Sequence, residues 1–292
     1  MERHKEDLKE NGYTIFRNLL DLDEINEYKN EFYKWFNKVP HLKKLHSMID
    51  FNGIFKYHEV GNQRFAWLMR TNPKIINVFK QLWETDELVT SFDGCCYYPE
   101  DYIGKDIYWT HTDQSSRKIG TYCYQSFISL TNNNERSLMI YKGSNLLHED
   151  YFKTMNIDEP TDWSIIDINY ILSKKLEPQV LIVNAGDLVV WDSRTFHQNL
   201  CGNSNCNEER LVQYLCYLPK NKEENNYNEK INRKIYFENR RTTNHWPYPM
   251  NLVPEQPYRY NLYNPENPII IDYNFLPKPY LYDLKDDIYK LL

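Results

Sequence analysis

The stretch YWTHTDQSS at 108–116 sets His111 and Asp113 two residues apart in a run that reads as a strand end. Residues i and i+2 of a strand point to one side, so both side chains can face one interior. A second stretch, GDLVVWDSRTFHQN, carries an apolar strand ending in Asp192, with His197 just beyond it. Two imidazoles and one carboxylate on one face of a metal leave three positions open. That donor set suits Fe(II) in enzymes that bind a cosubstrate and dioxygen together, whereas a structural metal site is fully ligated. The plain alternative is a set of ordinary polar residues at strand ends.

If 2-oxoglutarate chelated such an iron, its distal carboxylate would need a cation. Arg210 opens the next strand, RLVQYLCYLP, and a guanidinium can hold a carboxylate in two parallel hydrogen bonds. Gln125, in CYQSFISL, shares a strand face with Phe127 and Ser129. It is a candidate for a hydrogen bond to the cosubstrate or a ligand, against the alternative of a satisfied core amide. Trp109, two residues before His111, is a candidate pocket wall, against simple packing. His58, His148 and His245 read as structural or solvent histidines. His245 sits in RRTTNHWPYP, a short basic and aromatic stretch that reads as a solvated loop or a substrate-contacting lid.

Two kinds of element must position these groups. Residues 1–88 read as mainly helical. LDLDEINEYKNEFYKWFNKV places Ile25, Tyr28, Phe32, Trp35 and Phe36 at helical spacing after Asp21 or Asp23 as N-cap. GYTIFRNLL before it reads as a short strand and turn, and NPKIINVFKQLWET as a second helix with Pro73 in its first turn. From about 89 to 219 the runs are short, β-branched and aromatic, broken by Gly, Asn and Asp, as in an antiparallel sandwich or barrel. NAGD at 184–187 reads as a hairpin turn between two apolar strands. Residues 145–177 read as a polar, partly helical insert over one rim. Residues 220–292 form a C-terminal extension: a charged segment with helical potential, then a Pro- and Tyr-rich tail read as extended on the surface.

The bulk numbers narrow the class. The chain has 292 residues, 41% hydrophobic and 26% charged, with net charge -6. That supports a real core and gives no electrostatic reason to expect nucleic acid. No apolar run approaches the roughly 20 residues of a membrane span, and the charged MERHKEDLKENGY is not a signal peptide. A cytoplasmic location is the default. The six cysteines, Cys95, Cys96, Cys123, Cys201, Cys206 and Cys216, read as free buried thiols; CGNSNC lacks the second pair a zinc site would need.

The ordered set of residues resembles the phytanoyl-CoA dioxygenase family of Fe(II)- and 2-oxoglutarate-dependent oxygenases. The family's H-x-D is matched by His111-Thr112-Asp113. Its distal histidine is matched by His197, after Gly186-Asp187 and Trp191-Asp192, and its arginine by Arg210. ENGYTIFRNLLDLDEINEYKNEF resembles the N-terminal strand and helix, and FISLTNNNERSLMIYKGSNLLHED the segment ending in the family's GSHK. FAWLMRTNPKIINVFKQLWETDELVTSFDG and HTDQ resemble an uncharacterised fungal and microbial branch. Together these cover roughly residues 12–218. Two departures stand out: the acidic pair after the third core strand is TNN here, and the GSHK histidine is Asn145. Neither position is a metal ligand in the family.

The resemblance implies one oxygenase domain over 1–292. Its fold would be α+β, mainly β: a double-stranded β-helix, or jelly roll, with N-terminal helices on the major sheet. Fe(II) would sit on His111, Asp113 and His197, with 2-oxoglutarate and dioxygen as cosubstrates. The expected reaction is hydroxylation of a C–H bond in a small-molecule or lipid-like substrate, releasing succinate and carbon dioxide. Asp113 argues against halogenation, because halogenases of this fold carry a small residue there. No basic patch favours an acyl-CoA. Two other classes fit the residues: a non-catalytic binding protein on the same barrel, and a structural jelly roll.

Overall fold

The structure is a computed structural model that describes residues 1–49, 52–203 and 205–292. The elements run α1 (Glu2–Asn11), β1 (Tyr13–Phe16), α2 (Leu22–Phe36), α3 (Leu42–Ile49), β2 (Ile54–Phe55), α4 (Arg64–Arg70), α5 (Pro73–Trp83), β3 (Leu88–Thr90) and β4 (Cys95–Tyr98). They continue with β5 (His111–Thr112), β6 (Tyr124–Ser129), β7 (Leu138–Tyr141), α6 (His148–Met155), β8 (Ser164–Ile165), α7 (Ile168–Ser173), β9 (Pro178–Val180), β10 (Leu188–Asp192) and β11 (His197–Asn199). Last come β12 (Arg210–Pro219), α8 (Tyr227–Glu238), α9 (Tyr258–Tyr263) and α10 (Lys285–Leu291). The chain divides into two compact units, residues 1–18 with 98–210, and residues 19–97 with 211–292.

The first unit holds strands of two antiparallel sheets. In one, β10 lies between β1 and β6, with Trp191 opposite both Tyr13 and Gln125. In the other the order is β8-β5-β11-β7-β9. One rung crosses this second sheet as Ile165–His111–His197–Ile140. Directly paired residues share a face, so the register alone puts both histidines on one side. Met139 and Tyr141, on the opposite face, pack in a buried cluster with Tyr151, Phe152, Ile166, Tyr170, Ile171 and Phe196.

The insert at 145–177 therefore does more than cover a rim. The apolar faces of α6 and α7 close the second sheet's far side, and β8 extends that sheet at its edge. The expected hairpin at NAGD is also corrected. Asp187 N–H does bond the Asn184 carbonyl, and Gly186 sits at φ 90, in the left-handed region. However, β9 pairs with β7 while β10 pairs with β1 and β6, so the turn passes the chain between sheets. The buried Asp187 carboxylate fixes it by accepting from Asn184 N–H, Asn18 N–H and Arg17.

The second unit carries most of the helices. Asp21 caps α2 and shares a capping box with Glu24, while Asn72 caps α5 ahead of Pro73. The buried stripe of α2, Ile25, Tyr28, Phe32, Trp35 and Phe36, is the one read from spacing. Phe32 and Phe36 pack on Tyr97 of β4, and Phe79 of α5 packs on Tyr217 of β12. The tail is not simply extended. α10 buries Ile288 and Leu291, and Ile288 and Leu292 join Trp67, Phe92 and Met250 in one apolar cluster.

The sequence reading missed α1, whose charged residues hide a single buried Leu8. Gly12 ends it at φ 80, and a Cβ there would meet Thr195 Oγ1 at 2.6 Å. No helix among the described residues is long and apolar enough to cross a membrane.

Candidate metal centre

His111 belongs to β5 and Asp113 follows it directly, held by a bond from its N–H to the Ser193 carbonyl. Thr112 between them points to the other face, where its hydroxyl donates to the same carbonyl. The strand is shorter than DIYWTHTD suggested. Trp109 precedes it in irregular chain and is held by Gln198 and by its indole N–H on the Asn199 carbonyl. His197 opens β11 after a tight turn in which Arg194 clasps both oxygens of Asp192. Thr195 closes that turn through its N–H on the Asp192 carbonyl, and its hydroxyl reaches the Gly12 carbonyl.

The three side chains converge. One donor atom from each of His111, Asp113 and His197 lies within 4.8 Å of the others, and all three residues are buried. Asp113 Oδ2 is 3.5 Å from His111 Nε2 and 3.3 Å from His197 Nε2. Each imidazole bonds through Nδ1 to a backbone carbonyl two residues earlier: His111 to Trp109 at 3.1 Å, His197 to Thr195 at 2.8 Å. A carbonyl only accepts, so Nδ1 carries the proton and, in a neutral ring, Nε2 is a bare lone pair. Burial, and next the neighbouring His111, hold the His197 imidazole below its ordinary pKa, which keeps it neutral. Two bare nitrogens and a carboxylate oxygen thus face one another in a buried space. Three acceptors repel unless a cation lies among them, and this donor set fits a divalent transition metal.

Two further groups read from the sequence stand beside the cluster. Gln125 Nε2 donates to Asp113 Oδ2 at 2.9 Å, while its buried Oε1 has no hydrogen-bond partner among the described residues. The Trp109 ring stacks on His111 at 4.7 Å and 20°. Arg210, only 1% exposed, lies 5.5 Å over the Phe127 ring, two residues along from Gln125. Both its terminal nitrogens, Nη1 and Nη2, lack a hydrogen-bond partner among the described residues. A buried guanidinium with two free donors is costly unless an anion completes it.

The other sequence candidates go elsewhere. His148 is buried and bonds the Gln114 carbonyl, and His58 is buried in the second unit. The RRTTNHW stretch is not a solvated loop, since the Thr242 and Thr243 hydroxyls accept from Gly61 and Phe92 N–H and Trp246 is buried. All six cysteines are buried thiols outside any disulfide, as expected. The two departures from the family pattern are structural: Asn145 holds the Lys9 carbonyl at the end of α1, and Asn133 the Glu209 carbonyl. Sequence reasoning missed Gln114, whose amide ties Ser193 to the carbonyls of Lys118 and Gly120 behind the ligand pair. It also missed Trp163, whose ring lies 5.9 Å from that of His111. The period-two pattern Trp163-Ser164-Ile165 was the available signal.

Such antiparallel sheets, bearing two histidines and a carboxylate on one interior face, are the framework of non-haem iron enzymes. The phytanoyl-CoA dioxygenase family profile matches residues 8–200, well over half of the chain. The chain belongs to that family. It is 30% identical over 199 residues to Ava biosynthesis cluster protein O of Aspergillus versicolor, covering 60% of this chain and 61% of that protein. Among solved structures it resembles the epimerase SnoN in complex with Fe3+, alpha ketoglutarate and nogalamycin RO, with TM-score 0.53 and 16% identity over 75% of this chain and 83% of that one. It also resembles EctD from S. alaskensis with bound Fe, with TM-score 0.52 and 14% identity over 75% of this chain and 76% of that one. At these identities the structural likeness is one of fold.

Proposed function

We propose that the protein is an Fe(II)- and 2-oxoglutarate-dependent dioxygenase that hydroxylates a C–H bond of a small-molecule or lipid-like substrate. The carrying observation is the convergence of three buried acceptors, with both histidine protons turned away from the cluster. His111, Asp113 and His197 would hold the metal. Together, iron and 2-oxoglutarate supply dioxygen activation, with the cosubstrate leaving as succinate and carbon dioxide.

The chain's own residues bind, orient and exclude water. Arg210 receives the distal carboxylate of 2-oxoglutarate on Nη1 and Nη2, the two donors the protein leaves unmatched. Gln125 fixes the Asp113 carboxylate and offers Oε1 inward. Trp109 covers one face of His111 and keeps water from it. We take residues 1–292 as a single oxygenase domain with a jelly-roll core, a reading supported by a family match that runs through both compact units. Six cysteines outside any disulfide support an intracellular, reducing location.

Anaerobic titration of the metal-free protein with Fe(II) and 2-oxoglutarate tests this reading. A saturable visible charge-transfer band is expected. Its absence from folded protein would favour a binding module that kept the barrel without the chemistry.

A further inference from the structure

β8 is the edge strand beside the ligands, and its register is unusual for an edge. Ile165 pairs with His111 and Ser164 with Thr112. Trp163 directly precedes the strand, and its ring lies 5.9 Å from that of His111. Paired residues share a face, so Ile165 and Trp163 lie on the ligands' side while Ser164 lies with Thr112 on the other. The ligands are buried, yet Trp163 is 48% and Ile165 40% exposed. Large apolar side chains left open directly beside a buried polar centre mark a contact surface rather than unfinished packing.

The segment is fixed in place. Asp162 accepts from Ser115 N–H and from Lys118, and the Glu159 carbonyl accepts from the Ser115 and Ser116 hydroxyls. On the far side, Tyr151 donates to the Ile165 carbonyl and Ile166 N–H bonds the Thr110 carbonyl. The same segment neutralises neighbouring cations. Asp158 pairs with Arg117 at 2.7 Å and Asp162 with Lys118 at 2.6 Å. Arg194 is likewise matched, by Asp192.

We propose that Trp163 and Ile165 form a rigid apolar wall of the substrate site, and that it selects an uncharged substrate presenting a flat, ring-containing face to the metal centre. The indole supplies a stacking surface at low entropic cost. Arg117 and Lys118 are already ion-paired, which disfavours a phosphate-bearing handle such as that of coenzyme A. This proposal rests on the dioxygenase reading for the identity of the site.

Fluorine NMR of 5-fluorotryptophan-labelled full-length protein tests the wall without turnover, with Zn(II) and 2-oxoglutarate present to keep the site diamagnetic. Trp163→Phe assigns the Trp163 resonance, and 2-naphthol and coenzyme A are the probes. Saturable naphthol binding that moves the Trp163 resonance is expected, weakened about tenfold or more in Trp163→Ala and several-fold in Ile165→Ala, and not displaced by coenzyme A. An unmoved Trp163 resonance, equal affinity in Trp163→Ala, or displacement by coenzyme A would overturn the proposal. The Fe(II) charge-transfer band, recorded on the same variants, separates the two readings. A band intact in Trp163→Ala with naphthol binding unchanged sinks only the wall; no band in any protein sinks the dioxygenase.

Discussion

His111 and His197 sit directly opposite each other on neighbouring antiparallel strands, their ring centroids 4.3 Å apart, and each bonds through Nδ1 to the carbonyl two residues before it. The backbone just ahead of each strand therefore sets both ring orientations. His197→Ala and Asp113→Ala should each abolish the Fe(II)–2-oxoglutarate band and cosubstrate turnover while leaving the circular dichroism of the protein unchanged. A wild-type band in His197→Ala would remove that residue from the ligand set.

Arg210 gives a prediction about binding and one about stability. Losing a bidentate, buried carboxylate partner should weaken 2-oxoglutarate binding by roughly 2–5 kcal/mol in Arg210→Ala. In the wild type, 2-oxoglutarate at about a hundred times its Kd should raise stability by about 2.7 kcal/mol, and this gain should vanish in Arg210→Met. Without cosubstrate, Arg210→Met should unfold no earlier than wild type, because it removes two unmatched buried donors. Calorimetry with and without 2-oxoglutarate checks both; equal ligand-induced shifts would reassign the arginine.

Gln125 touches the Asp113 carboxylate through its amide nitrogen. Gln125→Leu should lower metal affinity by about 10–100-fold, since the Asp113 carboxylate loses its 2.9 Å donor. Competition with a chelator of known affinity measures this. Unchanged affinity would leave Gln125 to the cosubstrate alone.

Acid should destabilise the protein through His58. Burial, and then His46, press its pKa from 6.5 down to about 4. The unfolded chain takes a proton at His58 below pH 6.5 and the folded chain does not until about 4. Its contribution is therefore whole above pH 6.5 and is lost as pH falls towards 4, by at most about 3 kcal/mol. Urea midpoints across that window should fall less in His58→Asn, whose side chain also tolerates the left-handed backbone there (φ 61). Parallel curves would place the acid sensitivity elsewhere.

Some of this was legible in the sequence because it is periodic. The stripe of α2, the Asn72–Pro73 start of α5 and the strand-end spacing of His111 and Asp113 all repeat the geometry of their element. What escaped was set by partners distant in sequence. NAGD looks like a hairpin turn locally, and only the pairing of β9 with β7 shows that it changes sheets. Trp163 looked like one polar-insert residue among many, and only the folded chain brings its ring to 5.9 Å from that of His111. α10 carries too few apolar residues to announce itself, and the Trp67–Phe92 cluster supplies the reason it folds.

The carbonyl partners of the two imidazoles also bear on the charge of the centre. A carbonyl, unlike a carboxylate, does not push a ring towards imidazolate, so Asp113 is the one anionic side chain of the three. If a divalent metal sits on the three residues and Arg210 faces the same pocket, a dianionic cosubstrate would balance the two remaining positive charges. Low-dielectric surroundings penalise net charge steeply, so such a pocket would favour a dicarboxylate over a monocarboxylate or a neutral chelator.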